Sequence, residues 1–268
     1  MPYVMTSDGT RLHYEERGGS GDVVVLVHGY TGALSDWDET VPRLPADWRV
    51  IQVDLRGAGQ SDHAPGGYTI PQYARDLHDL VRELKLPPFV LVGHSMGGAI
   101  SAQYALDYPE TLRGVLLLAP APLNGLPPLP PEMIAEAQAI RGDIEKMKAR
   151  LRGWVSARPL SETQLERMVR NDLAVSEGHL YGSLQAMIAL RLYDRLPALQ
   201  PPALYVAGDR DNLVPVRTVL EAFLRTPGAY LQVYTRVGHM VQLEVPDEFA
   251  ALLADFVRDV VRPVGAIA

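Results

Sequence analysis

The chain has no cysteine, which excludes disulfides, thiolate metal centres and cysteine nucleophiles together. It also lacks any apolar run near the ~18 residues that a bilayer-spanning helix needs. Positive charge is in deficit. Lys and Arg number 25 against 32 Asp and Glu, leaving a net charge of −7, whereas nucleic-acid and anionic-membrane surfaces call for a basic face. No internal repeat is visible, and no His/Asp/Glu cluster has metal-ligand spacing, so neither metal nor cofactor is expected. The opening Met-Pro-Tyr-Val-Met-Thr-Ser-Asp-Gly-Thr shows no basic stretch leading into an apolar one. A cytoplasmic, soluble protein without a secretory leader is therefore expected. The expected partner is a small molecule, bound by a monomer or a homodimer.

What is present is ordinary globular composition, with 47% hydrophobic and 21% charged residues over 268 positions. That length holds one large α/β domain, or a core with an inserted lid. Tyr3 to Glu16 reads as a hairpin around Ser7-Asp8-Gly9. Val23–Val27 is a continuous apolar run, as a strand buried on both faces requires. Further strands are expected at Trp48–Val53, Phe89–Gly93, Val115–Ala119, Ala203–Ala207 and Tyr230–Tyr234. Leu77, Leu80, Val81 and Leu84 have helical spacing within a helix from Tyr73 to Leu86, stopped by Pro87-Pro88. A second helix is expected from Met96 to about Tyr108.

From Pro120 the pattern changes. A proline-rich connector over residues 121–131 leads into a segment, 132 to about 196, that reads as wholly helical. Breaks are expected near Gly142, Arg158-Pro159 and Ser176-Glu177-Gly178. About 65 residues is far more than one crossover between strands needs. The expected organisation is a core of residues 1–121 and 197–268 with a helical cap, residues 122–196, inserted into it.

The chemistry concentrates at Gly93-His94-Ser95-Met96-Gly97. A G-x-S-x-G turn between a β-branched strand and a helix presents its serine on a sharp corner, with Ser95 Oγ exposed at the carboxyl end of the sheet. The Met96 N–H points at the same spot. A serine hydroxyl needs a base, and the base needs an orienting carboxylate. Such residues collect just past strand ends. Gly208-Asp209-Arg210-Asp211 and Gly238-His239 occupy such places, in the order serine, acid, histidine. Either Asp209 or Asp211 could reach the histidine on this evidence. His28 and His94 belong to loop motifs and read as structural. His13, His63, His78 and His179 have no partner pattern and read as surface or incidental.

Four blocks together resemble the α/β-hydrolase superfamily, in particular serine carboxylesterase-like members with a helical cap. They are His28-Gly-Tyr-Thr-Gly32, Asp54-Leu-Arg-Gly-Ala-Gly-Gln-Ser61, Gly93-His-Ser-Met-Gly97, and Gly208-Asp-Arg-Asp211 with Gly238-His239. The resemblance implies a mostly parallel, doubly wound sheet. It implies Ser95 as nucleophile, His239 as general base and, by the family's spacing, Asp211 as the acid. The N–H groups of Tyr30 and Met96 would form the oxyanion hole, while Asp54 and Arg56 would be structural.

The implied activity is hydrolysis of carboxylic esters through an acyl-enzyme. Relatives that are dehalogenases or epoxide hydrolases use an aspartate at the nucleophile position, and Ser95 speaks against both. Lactonases and carbon–carbon bond hydrolases share the triad. The latter typically show a Ser-Gly-Pro-Gly-like loop and a tryptophan after the histidine, where this chain has Tyr30-Thr31-Gly32 and Met240. Haloperoxidase or perhydrolase activity is a side reaction of similar sites. A non-catalytic small-molecule receptor is the alternative from another class, since such receptors keep the same residues.

Overall fold

The computed structural model describes residues 2–128 and 130–261. Of the two units expected from sequence, residues 1, 129 and 262–268 thus lie outside the described residues. Strands β1 (Tyr3–Met5) and β2 (Arg11–Arg17) form the hairpin, antiparallel with Val4 opposite Leu12. β3 (Val23–Val27), β4 (Arg49–Val53), β5 (Phe89–His94), β6 (Leu112–Leu118), β7 (Ala203–Gly208) and β8 (Tyr230–Tyr234) follow. Among the described residues they make one eight-stranded sheet, ordered β1-β2-β4-β3-β5-β6-β7-β8. β2 meets β4 antiparallel, and every pairing from β4 to β8 is parallel.

Alternate residues of the central strands face opposite layers, because side chains change face with period two. Val25, Val27, Leu91, Val115, Leu117 and Tyr205 pack on one side with α1 (Ile70–Glu83) and α2 (Met96–Asp107). Val24, Leu26, Val90, Val92, Leu116 and Val206 pack on the other with Trp37, Phe249 and Leu253. Both faces are covered, so these strands are apolar at nearly every position. α1 starts three residues before the expected Tyr73. The Thr69 hydroxyl accepts from Gln72 N–H, and Pro71 fits the first turn, where its missing N–H costs nothing. It ends at Glu83 because Lys85 takes a left-handed backbone, φ 48°, ahead of the two prolines.

Between β6 and β7 lie α3 (Pro131–Ile140), α4 (Ile144–Arg150), α5 (Glu162–Ala174) and α6 (Glu177–Ala189), with a wide turn at Leu151–Val155. The breaks fall at helix-starting caps: Asp143 accepts from Lys146 N–H, Ser161 and Gln164 form a reciprocal capping box, and Ser176 accepts from His179 N–H. The segment is less helical than its sequence suggests. Helix stops at Ala189, and the stretch beyond is irregular apart from a short turn at Leu196–Ala198. Here the backbone pairs with the proline-rich connector instead: Leu192 N–H donates to Leu123 O (2.7 Å) and Leu126 N–H to Met187 O (3.1 Å). The entering and leaving chains are thus bonded to each other, and the connector is more than a spacer.

The helical segment is also joined to the core through buried polar groups. Asp36, in the turn Leu34–Trp37 after β3, is buried and accepts a hydrogen bond from Asn171 Nδ2 of α5 (3.0 Å). One turn earlier in α5, Arg167 pairs with Glu39 (2.7 Å) and Asp38 (3.5 Å). Burial pushes the Asp36 carboxyl up to about 7, although the Arg167 charge and the Asn171 bond pull it back.

This has a signed consequence for stability. Unfolded, Asp36 loses its proton near pH ~4; folded, it keeps it to about 7. Between those values the folded chain holds the extra proton, so the wild type loses stability as pH rises and the loss levels off above pH ~7. Asp36→Asn keeps an acceptor for Asn171 and has no such penalty. Urea midpoints at pH 5 and pH 8 should show the variant gaining on the wild type at the higher pH. A difference that does not change with pH contradicts the buried, proton-retaining carboxyl.

Candidate active site

Ser95 stands on the corner between β5 and α2 with φ 54° and ψ −116°, a backbone conformation costly for a residue with a side chain. Crowding forces the corner. A Cβ on Gly93 would lie 2.1 Å from Gly97 O, and one on Gly97 would lie 2.4 Å from His28 O. Only glycines let the strand, the helix start and the loop after β3 approach this closely. The strained residue is tied down: Ser95 N–H donates to Leu118 O (2.9 Å), and Ser95 O accepts from Ala121 N–H (2.8 Å) and Ala99 N–H (3.1 Å).

The loop after β3 runs beside the serine, the nearest approach of a Gly29 Cβ to Ser95 Cβ being 3.3 Å. Among the described residues, neither the Tyr30 N–H nor the Met96 N–H has a hydrogen-bond acceptor. Met96 follows Ser95 at the helix start, and Tyr30 follows Gly29 on the loop.

β7 and β8 bring the other two groups. His239 Nδ1 lies 2.7 Å from Asp211 Oδ2, and both side chains are buried. The other Asp211 oxygen accepts the N–H groups of Leu213 and Val214, each at 2.8 Å, which fixes the carboxylate plane. Asp209 is turned away. Its Oδ1 accepts from Arg236 N–H (2.6 Å) on the surface side of the loop. The structure therefore sets Asp211, not Asp209, against the histidine. No hydrogen bond joins Ser95 Oγ to His239 among the described residues.

The surrounding histidines are held neutral. His28 is fully buried; its Nδ1–H donates to Gly29 O (2.7 Å) and its Nε2 accepts from Leu55 N–H (3.0 Å). Burial lowers its pKa to about 4. His94 is lowered well below the ordinary range, by burial first and by the neighbouring His239 next. Its Nε2–H donates to His239 O (3.0 Å), with the two ring centroids 4.7 Å apart. Asp54 accepts from Leu34 N–H, Gln60 N–H and His13 Nδ1, while Arg56 is buried and paired with Asp76 and Asp8. Both knit loops together and neither faces the serine.

Two histidines contradict the surface reading. His13 is fully buried against Asp54, at 2.8 Å, and His179 is fully buried between α6 and the core loops. Neither burial is visible locally, because each partner lies far along the chain. Glu244, in the short helix Val241–Glu244, is a further residue that sequence reading passes over. Its buried carboxylate accepts the N–H groups of Gly238 (2.9 Å) and Met240 (3.2 Å), on either side of His239. It also accepts from Ala157 (2.9 Å) and Arg158 (2.8 Å) of the helical segment. A lone carboxylate inside the apolar run Met240–Val245 was the available signal.

The helical segment reaches the site from two sides. Val155 O accepts the His239 N–H (2.9 Å). Leu160 and Leu165 pack with Met240 and Leu243 in one apolar cluster. Across from them, α6 contacts Tyr30 through His179 and Leu180. No group of three or more His, Asp or Glu able to hold a metal ion occurs among the described residues. Nor is any helix there long and apolar enough to cross a membrane.

Residues 22–246 match the model of the alpha/beta hydrolase fold family. A 2-hydroxy-6-oxononadienedioate/2-hydroxy-6-oxononatrienedioate hydrolase from Burkholderia vietnamiensis is 31% identical, over 95% of this chain and 94% of its own. The dihydrolipoyllysine-residue acetyltransferase component of an acetoin cleaving system from Cupriavidus necator is 30% identical over 92% of this chain, which spans only 66% of that longer protein. Among solved structures, an esterase from Exiguobacterium antarcticum superposes with a TM-score of 0.83 at 26% identity, covering 95% of this chain and 98% of the other. An N-acyl homoserine lactone degrading enzyme superposes with a TM-score of 0.82 at 34% identity, covering 96% and 100%. On the family match, the sheet and the full-length likeness to hydrolases, the chain belongs to the alpha/beta hydrolase fold family.

Proposed function

We propose that this hydrolase cleaves carboxylic esters by acyl transfer through Ser95. The observation that carries the reading is the buried His239–Asp211 contact at 2.7 Å beside a serine on a strained strand-to-helix corner. Asp211 holds the imidazole with its proton on Nδ1, leaving the Nε2 lone pair free to take the Ser95 Oγ proton. Oγ attacks the ester carbonyl, and the negative charge that develops on its oxygen is met by the Tyr30 and Met96 N–H groups. The alcohol leaves with the proton from His239 Nε2. Water then attacks the acyl-enzyme by the same route, releasing the acid and restoring Ser95. The chain's own groups complete this cycle without a cofactor.

Removing one preorganised oxyanion donor costs an enzyme about 2.7–4 kcal/mol, so these two N–H groups would supply much of the barrier reduction. The helical segment, residues 122–196, serves in this reading as a cap that excludes water and supplies the apolar walls of the acyl pocket. Its contacts to both Tyr30 and His239 support that role.

A lactone is an internal ester and would pass through the same steps, a second reading favoured by the likeness to a lactone degrading enzyme. Carbon–carbon bond hydrolysis is favoured by the likeness to the Burkholderia relative and a second hydrolase of the same name. Parallel assays of p-nitrophenyl esters of increasing chain length, lactones and a dienoate ketone separate the three. The ester reading expects kcat/KM to be highest on an ester.

Ser95→Ala should abolish ester hydrolysis while leaving the urea midpoint near the wild-type value, since the side chain makes no hydrogen bond among the described residues and fills little space. Near-normal kcat in that variant would show that another nucleophile works. Asp211→Asn should lower kcat by roughly 10⁴, because an amide reverses the hydrogen bond that sets the imidazole tautomer. Asp209→Asn should leave kcat within a few-fold, its carboxylate being engaged with Arg236 N–H. Equal losses at both positions would contradict the assignment of the acid.

A further inference from the structure

The loop that carries Tyr30 has little support of its own. Among the described residues, Gly29–Gly32 has one bond between its own backbone groups, Gly32 N–H to Gly29 O at 3.3 Å, besides the His28 Nδ1–H on Gly29 O, and the loop is bounded by glycine at both ends. What fixes Tyr30 comes from α6. His179 Nε2 lies 2.5 Å from Tyr30 O, the Tyr30 hydroxyl donates to Leu180 O, and the two rings stack with centroids 6.0 Å apart and planes 16° from parallel. The residue is held at its carbonyl, its ring and its hydroxyl, all by two consecutive residues of one helix.

The hydrogen-bond chemistry of His179 is determined by its surroundings. Tyr30 O can only accept, so Nε2 must carry a hydrogen. Nδ1 lies 2.9 Å from the Tyr73 hydroxyl and 3.0 Å from Arg56 O. In the neutral ring Nδ1 accepts the Tyr73 O–H and makes no hydrogen bond to Arg56 O, itself an acceptor, while Ser183 Oγ, 2.7 Å from Tyr73 Oη, donates to that oxygen in turn. Burial lowers the His179 pKa and favours this neutral form. The chain Ser183, Tyr73, His179, Tyr30 therefore runs from α6 through α1 and back to the loop beside Ser95, with each hydrogen used once.

We propose that His179 is a positioning residue for catalysis, setting the backbone of Tyr30 so that its N–H meets the developing oxyanion. The inference rests on the reading of Tyr30 N–H as an oxyanion donor in ester cleavage. It assigns the helical segment a part in the barrier itself, beyond shaping the acyl pocket. A donor turned away by a fraction of an ångström keeps its ground-state contacts and loses its transition-state ones, so the loss should fall on kcat.

The test uses p-nitrophenyl acetate, too small to sense the acyl walls, and an aryl trifluoromethyl ketone, whose adduct with Ser95 carries an oxyanion. His179→Leu removes the donor; His179→Gln offers an amide N–H to Tyr30 O. His179→Leu should lower kcat by about 10- to 100-fold, below the ~10²–10³ of losing a donor outright, with KM within about twofold. Inhibition by the ketone should weaken by a similar factor. His179→Gln should recover most of both losses.

Wild-type kcat in His179→Leu overturns the proposal. So does a loss that follows the thermal midpoint and that Gln does not repair, the mark of a structural role. Should His179→Leu fail to fold, His179→Phe keeps a ring to stack on Tyr30 while removing the donor to Tyr30 O, and should still lower kcat at unchanged KM; full activity there counts against the inference. Failure of the underlying reading looks different: a wild type inert to all esters, or an active Ser95→Ala, removes both together. An active wild type and an inert Ser95→Ala beside unaffected His179 variants removes this inference alone.

Discussion

Everything near the serine follows from the space available where β5 meets α2. Ser95 holds a backbone conformation that costs on the order of 1–3 kcal/mol for a residue with a side chain. Three backbone hydrogen bonds, to Leu118, Ala121 and Ala99, oppose that cost; at ~0.5–1.5 kcal/mol each they are of the right size to offset it. The corner closes only because Gly93 and Gly97 bring backbone against backbone. Once closed, it sets the Gly29 backbone of the following loop against Ser95. Ala119, just past β6, is the second strained residue of the region, with φ 41°, and its N–H donates to Val206 O at 2.7 Å. The strain is thus spread over two neighbouring strand ends and braced by the sheet.

The helical segment between β6 and β7 is built into this arrangement at several buried points. Asn171 meets Asp36, His179 meets Tyr30, Val155 meets the His239 N–H, and Glu244 bridges Gly238 and Met240 to Ala157 and Arg158. Polar groups buried in this way are costly when unpaired. Lifting the segment as a rigid lid would break several of these bonds at once.

The fold was legible because its strands are buried on both faces. Continuous runs such as Val23–Val27 and Phe89–Val92 have no other stable use, and the strand-ends carry the short motifs in sequence order. The candidate positions Ser95, Asp209 or Asp211, and His239 were legible for the same reason, each within a few residues of a strand end; local pattern left the choice between the two aspartates open, and the His239 contact falls on Asp211. The rest depended on contacts between distant parts of the chain. His179 looks like any helix residue until α6 is laid on loops about 120 and 150 positions away. His13 finds Asp54 only through the antiparallel β2–β4 pairing. Helix starts were misjudged where a cap outweighed the apolar period, as Thr69 did for α1. The end of α6 was misjudged because Leu192 pairs with Leu123 rather than continuing the helix.

The proposed ester cleavage requires Ser95 Oγ to be the atom that attacks, activated by His239. Incubation with a fluorophosphonate, followed by peptide mapping by mass spectrometry, measures this without reference to any natural substrate. One phosphonyl group should be found on Ser95, and its rate of attachment should fall sharply in His239→Ala. Labelling at another residue, no labelling of the folded protein, or an unchanged rate without His239 would contradict it.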